Sequence, residues 1–119
     1  MSSPEFVTLH DVEVEMADLN RRIGEAPGVI REYHNKFKEA RQAYKRAYAL
    51  AYSAADGSQA LRKIQADLET EEQLIAMDDA EIEFRFVQDT LDALKTKLRA
   101  LQSIGSMMRA EMFSPQGGI

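Results

Sequence analysis

Arg31, His34, Lys38, Arg41, Lys45, Tyr48 and Tyr52 recur at alternating intervals of three and four residues. On an α-helix that spacing lines them along one edge. Guanidinium and ammonium groups neutralise phosphates, and phenol rings offer faces to unstacked bases. Cations interleaved with aromatic rings are therefore what a single-stranded nucleic acid requires of a protein surface. The candidate phosphate contacts are Arg31, Lys38, Arg41, Lys45 and Arg46, with Tyr48 and Tyr52 as candidate base platforms. The competing reading assigns the tyrosines to a helix interface and leaves the cations to solvate its rim or to pair with the acidic stretch downstream. His34 reads as a surface residue within the stripe, and His10 has no catalytic companion nearby in sequence.

A second constellation is acidic. Glu69 and Glu72, then Asp89 and Asp92, place carboxylate pairs three residues apart on successive helical stretches. Hard oxygen ligands in such pairs suit magnesium. The layout resembles the paired acidic motifs of all-helical nucleotide pyrophosphatases of the MazG type, although the second motif there opens with glutamate and further acidic and basic positions are missing. The plainer reading is a solvated acidic face. The Glu-x-x-His pairs of a di-iron carboxylate bundle are absent. No hydroxyl has a histidine close in sequence or a Gly-x-Ser-x-Gly turn, and Gly24, Gly28 and Gly57 are too isolated for a phosphate loop. The expectation is a non-enzymatic protein with no catalytic residues, no metal and no cofactor.

The elements that must position these residues read as helices throughout. Thr8 followed by Asp11 resembles a capping start. Leu9, Val12, Met16, Leu19 and Ile23 then recur in a heptad, predicting a first helix over 8–25. Ala26-Pro27-Gly28 is expected to end it. Beside the basic stripe, Ile30, Tyr33, Phe37, Ala40, Tyr44, Ala47 and Ala51 form an apolar stripe, predicting a second helix over 29–55. Asp56-Gly57-Ser58 reads as a turn folding two helices into a hairpin. A third helix is expected over 58–113 with a break near 77–79, where Asp78 and Glu81 could cap a fresh start. Residues 114–119 read as a flexible tail.

The longest repeat is Phe84, Val87, Leu91, Leu94, Leu98, Leu101, Gly105, Met108 and Met112. Its 3.5-residue period implies coiled-coil packing. Phe84, Val87, Leu91, Leu94, Leu98, Leu101 and Met108 are the candidate oligomer interface. Ile75, Ile82, Phe86 and Ile104 fall off that line, where a second contact face could form. The expected fold is all-α: a single helical domain of long antiparallel helices in a hairpin or small bundle with coiled-coil-like seams, self-associating into a homo-oligomer.

The 119 residues carry a net charge of −5 that is distributed in blocks. Residues 1–25 sum to −4, 29–46 to +4, 67–92 to −9 and 93–110 to +4. An acidic protein binds nucleic acid only through a local patch, multiplied if the chain oligomerises. The chain has no cysteine, which excludes disulfides and thiolate chemistry. No segment reaches the roughly 20 apolar residues of a membrane span, and no signal pattern opens the chain, so the expected location is cytoplasmic.

Two segments carry a family resemblance. Lys45-Arg46-Ala47-Tyr48-Ala49-Leu50-Ala51-Tyr52-Ser53 is similar to the cationic helix, ending in a Tyr-Ser turn, of phage recombination-mediator proteins of the UvsY type. Phe84 to Met112, including Leu91-Asp92-Ala93-Leu94-Lys95, looks like that family's C-terminal oligomerising helix. The chain departs from the pattern in its acidic balance, in alanines where the family's turn has glycine, and in its first heptad helix. The resemblance implies a small helical oligomer, encoded by a phage, that binds single-stranded DNA in the host cytoplasm. It also implies a recombinase or a single-strand-binding protein as partner. A helical adaptor that binds another protein and no nucleic acid is the alternative, and the MazG-like enzyme the third reading.

Overall fold

The computed structural model describes residues 8–113. They form three α-helices, α1 (Leu9–Ala54), α2 (Gln59–Glu69) and α3 (Glu71–Phe113), with no strand among the described residues. The all-α expectation holds; the tail expected at 114–119 lies outside the described residues. No helix is long and apolar enough to cross a membrane.

The start of α1 is as the sequence predicts. The Thr8 N–H donates to Asp11 Oδ2 (3.2 Å) and the Asp11 N–H donates back to Thr8 Oγ1 (3.1 Å), a reciprocal capping pair. The expected stop at Ala26-Pro27-Gly28 is corrected: α1 continues to Ala54, with Pro27 in its interior. An interior proline deletes one backbone hydrogen bond and crowds the preceding turn, at a cost of about 3 kcal/mol. What carries the helix through is the unbroken phase of its apolar seam. Ile23, Ala26, Ile30 and Tyr33 keep the four-three rhythm across the proline, and Ala26 is buried. Side chains added at Gly24 and Gly28, on either side, would meet no other part of the described structure within 4 Å.

The expected break near 77–79 is also corrected. It falls at Thr70, which caps α2 with φ −110° and ψ 15°. Thr70 is 2% exposed, and both its N–H (3.1 Å) and its hydroxyl (2.7 Å) donate to the Ala66 carbonyl. A β-branched hydroxyl competing with the backbone for the carbonyl four residues back bends a helix. Asp78 and Glu81 lie inside α3 and cap nothing. The seam keeps its register through Thr70: Ala66, Thr70, Gln73, Met77, Ala80, Phe84 and Val87 are buried or half-buried in a four-three rhythm. Gln73 Oε1 is buried there without a hydrogen-bond partner among the described residues.

The single domain expected from the sequence divides into two compact units, Met1–Pro27 with Asp89–Ile119, and Gly28–Gln88. In the first, Val12 and Leu19 have no exposed surface and Leu101 only 3%, and Met16, Leu94, Leu98 and Met108 pack around them. A side chain at buried Gly105 would begin 3.7 Å from both Val12 and Met16, and Lys97 Nζ meets Glu15 Oε1 at 2.9 Å. Val12 opposite Gly105 and Glu15 opposite Lys97 make this pairing antiparallel. The leucine seam expected to join separate copies is therefore occupied within one chain. Leu94, Leu98, Leu101 and Met108 close on the first turns of α1 because that stretch carries a matching heptad of its own.

The second unit is a hairpin about Asp56-Gly57-Ser58. Gly57 takes φ +101°, a left-handed conformation that favours glycine, and Ser58 Oγ accepts from the Leu61 N–H (3.3 Å) as the cap of α2. Its fully buried positions are small residues: Ala51, Ala55, Ala66 and Thr70. Larger side chains meet at its half-buried edges, where the Phe84 ring stacks on His34 (5.0 Å) and Phe37 (6.2 Å).

Candidate nucleic-acid interface

The two stripes of residues 29–53 separate as their spacing requires. Ile30, Tyr33, Phe37, Ala40, Tyr44 and Ala47 are half-buried and Ala51 is buried, whereas Arg31, Lys38, Arg41, Lys45 and Arg46 are exposed. All belong to one helix within one unit, so a single rigid element sets their spacing. Residues 31, 38 and 45 stand seven apart, which at 1.5 Å per residue puts successive cations about 10 Å apart.

None of these five cations lies within ion-pair distance of a carboxylate among the described residues; the ion pairs of this helical stretch belong elsewhere, as in Lys36 with Glu32 at 3.4 Å. The acidic segment therefore makes no direct ion pair with the stripe among the described residues. Arg41 instead lies over the Phe37 ring, 5.3 Å from its centre, which braces the guanidinium against the helix while leaving it exposed.

The tyrosine end is built differently. Tyr44, Tyr48 and Tyr52 form a ladder, with centres 6.1 Å and 6.3 Å apart, and all three are half-buried. Arg62 reaches across the hairpin, placing its guanidinium 4.5 Å from the centre of the Tyr52 ring and donating through Nε to the Tyr52 carbonyl (3.2 Å). One face of Tyr52 is thus covered by a protein cation, and an end carbonyl of α1 is satisfied by the same side chain. Desolvation in its half-buried position raises the Tyr48 phenol above its ordinary value, and the Asp67 carboxylate and the neighbouring Tyr44 and Tyr52 add to it. Tyr48 is accordingly a neutral phenol at physiological pH. These five exposed cations thus lie between Arg31 and Arg46, and the half-buried Tyr48 and Tyr52 follow them toward the hairpin turn.

Arg62 is the residue that sequence reading misses. Residues 52 and 62 each lie five from Gly57, so the symmetry of a hairpin about that turn was the available signal. The candidate interface residues of α3 face their own chain: Phe84 on the His34 and Phe37 rings, Val87 in a groove with Tyr33, and Leu94, Leu98, Leu101 and Met108 around Val12 and Leu19. Leu91 is half-buried on the same seam. The acidic residues gather into no group of three or more that could hold a metal ion, among the described residues. Compared with known protein families, curated proteins and solved structures, the chain matches none.

Proposed function

We propose that this chain is a non-enzymatic, single-stranded DNA-binding accessory protein of phage-type homologous recombination, acting in the host cytoplasm. The exposed edge of α1 grips the phosphate backbone, and a recombinase or single-strand-binding protein is the natural partner of such a mediator. The observation that carries this reading is the row Arg31, Lys38, Arg41, Lys45 and Arg46: five exposed cations on one helix with no carboxylate partner among the described residues. In an acidic chain, cations left without counter-ions stand ready for an anion from outside. Repetition of the patch in a homo-oligomer would convert modest affinity into tight binding on a long strand.

The test is fluorescence anisotropy with labelled single-stranded DNA across a salt series. Each phosphate contact adds about 0.7 to the log–log slope for a single strand. Lys38→Ala with Lys45→Ala should lower the slope by about 1.4 and weaken all sequences alike, with an unchanged melting temperature because both side chains are exposed. A double variant that melts normally and binds as the wild type does would reduce the stripe to a solvated helix edge. The adaptor reading would then take its place.

A further inference from the structure

A second surface of the Gly28–Gln88 unit is as unusual as the basic edge, and it carries the opposite charge. Leu61, Leu68, Ile75 and Ile82 stand seven residues apart, with Ile64 between the first two. They are 59%, 70%, 53%, 65% and 56% exposed in the order Leu61, Leu68, Ile75, Ile82, Ile64. The buried seam of α2 and α3 runs through Ala66, Gln73, Ala80 and Val87, two residues back on the same seven-residue period. A helix turns about 100° per residue, so the exposed row lies on the side away from that seam. These helices are apolar on two opposed faces, and the described residues cover only one. From Leu61 to Ile82 the row runs about 30 Å.

Acids flank the row on both sides, Glu71 and Asp78 on one and Glu72, Asp79 and Glu83 on the other, by the same helical geometry. All five are exposed, and none is ion-paired among the described residues. Residues 67–88 hold eight acids against Arg85 alone, and Arg85 is taken by Glu81 at 3.1 Å. At the far end of the row, Tyr33, Ile82, Glu83, Phe86 and Val87 line an open groove of about 370 Å³. It is apolar in its walls, with one carboxylate, and of a size to take a large side chain.

We propose that this face docks a basic amphipathic helix of a partner protein, with the partner's apolar stripe on Leu61, Leu68, Ile75 and Ile82 and its flanking lysines or arginines against Glu71, Glu72, Asp78, Asp79 and Glu83. Charge decides between occupants. A second copy presenting the same face would set these five acids against five, and like charges across an interface oppose association. The basic edge of a second copy's α1 would match the charge, but its apolar stripe is already turned into its own hairpin, so the exposed aliphatic row would be left against polar side chains. A helix with an apolar centre and cationic flanks satisfies both requirements, the helix-in-groove mode of recognition. The surface is separate from the Arg31–Arg46 edge, so the inference does not rest on DNA binding.

The probe is a synthetic helix of three heptads with leucine at the two seam positions and lysine on both flanks, labelled and titrated with the full chain at physiological salt. Controls are a peptide of the same composition in scrambled order and one with glutamate replacing lysine. Binding is expected for the amphipathic basic peptide alone. Leu68→Ser with Ile75→Ser should weaken it roughly ten- to a hundredfold, and Glu72→Gln with Asp79→Gln should weaken it and flatten its salt dependence. Both variants should keep wild-type melting and wild-type affinity for single-stranded DNA. Equal binding of the scrambled peptide, or undiminished binding by the Leu68→Ser, Ile75→Ser variant, would overturn the proposal. So would sedimentation showing that the wild type alone dimerises and that this variant returns it to monomer, since a second copy would then be the occupant.

Discussion

The two units of this chain share α1 and α3, with α2 wholly in the second, yet they distribute their apolar residues in opposite ways. In the unit of Met1–Pro27 and Asp89–Ile119, large side chains close on one another: Val12 and Leu19 are wholly buried and Leu101 nearly so. In Gly28–Gln88 the fully buried positions are alanines and a threonine, while Leu61, Ile64, Leu68, Ile75 and Ile82 stand more than half exposed. Exposed large aliphatics are ordinary singly and informative in a row. The first unit invests its sequence in stability, and the second in two surfaces of opposite charge.

The sharpest way to break that contrast is truncation of one large side chain in each unit. Leu19→Ala should cost about 2–5 kcal/mol, because a wholly buried leucine leaves both lost contacts and a cavity. Ile75→Ala, on the exposed row, should change stability by no more than about 0.5 kcal/mol. Urea unfolding of the two variants measures both. A comparable loss for Ile75 would mean that the row is part of the fold and is not a surface held open for a partner.

A smaller effect sharpens the picture of the second unit. Arg62→Ala removes a hydrogen bond to an end carbonyl of α1 and the cation over the Tyr52 ring, so it should destabilise by about 1–2 kcal/mol in thermal melts. It also bares that ring face. If Tyr52 serves as a base platform, the variant should bind single-stranded DNA more tightly once allowance is made for the unfolded fraction. If the tyrosine ladder only fastens the hairpin, affinity should stay level.

Much of this was legible in the sequence. The capping pair of Thr8 and Asp11, the turn at Asp56-Gly57-Ser58, and the separation of a half-buried apolar stripe from the exposed cations of residues 31–46 all follow from local rules, and the structure keeps them. Both misplaced breaks have one cause. Pro27 and Asp78 are local signals, whereas the seam is a long-range one, and Ala26 keeps its phase across the proline. Alanine is easily passed over in an apolar repeat because it is small, yet Ala26 is buried. The partner of the leucine seam was not legible for a different reason. A heptad states that a helix needs another helix, and the same repeat serves one from its own chain or one from a second copy.

The smallest expected effect concerns the charged rim of the first unit. Asp18 accepts from Arg21 at 2.8 Å, and that hydrogen bond, offset in part by desolvation and helped by the charges of Arg21, Arg22 and Lys97, holds its carboxyl below the ordinary value. The Arg21 guanidinium, shared with Glu25 at 3.1 Å, is correspondingly raised and stays charged throughout. Because the folded carboxyl is the stronger acid, the unfolded chain binds more protons near its titration. The pair's stabilisation is therefore complete above the unfolded value of about 3.9 and is lost as pH falls through the folded one. Both side chains are more than two-fifths exposed, so solvent screens the pair and the effect is small. Asp18→Asn should melt slightly below wild type at neutral pH, and the difference should close below about pH 4 as the wild-type carboxyl takes up its proton. It should also shrink in high salt. A gap that persisted undiminished on acidification would show that the asparagine disturbs packing around Leu19, and that the charge of Asp18 is not what stabilises this rim.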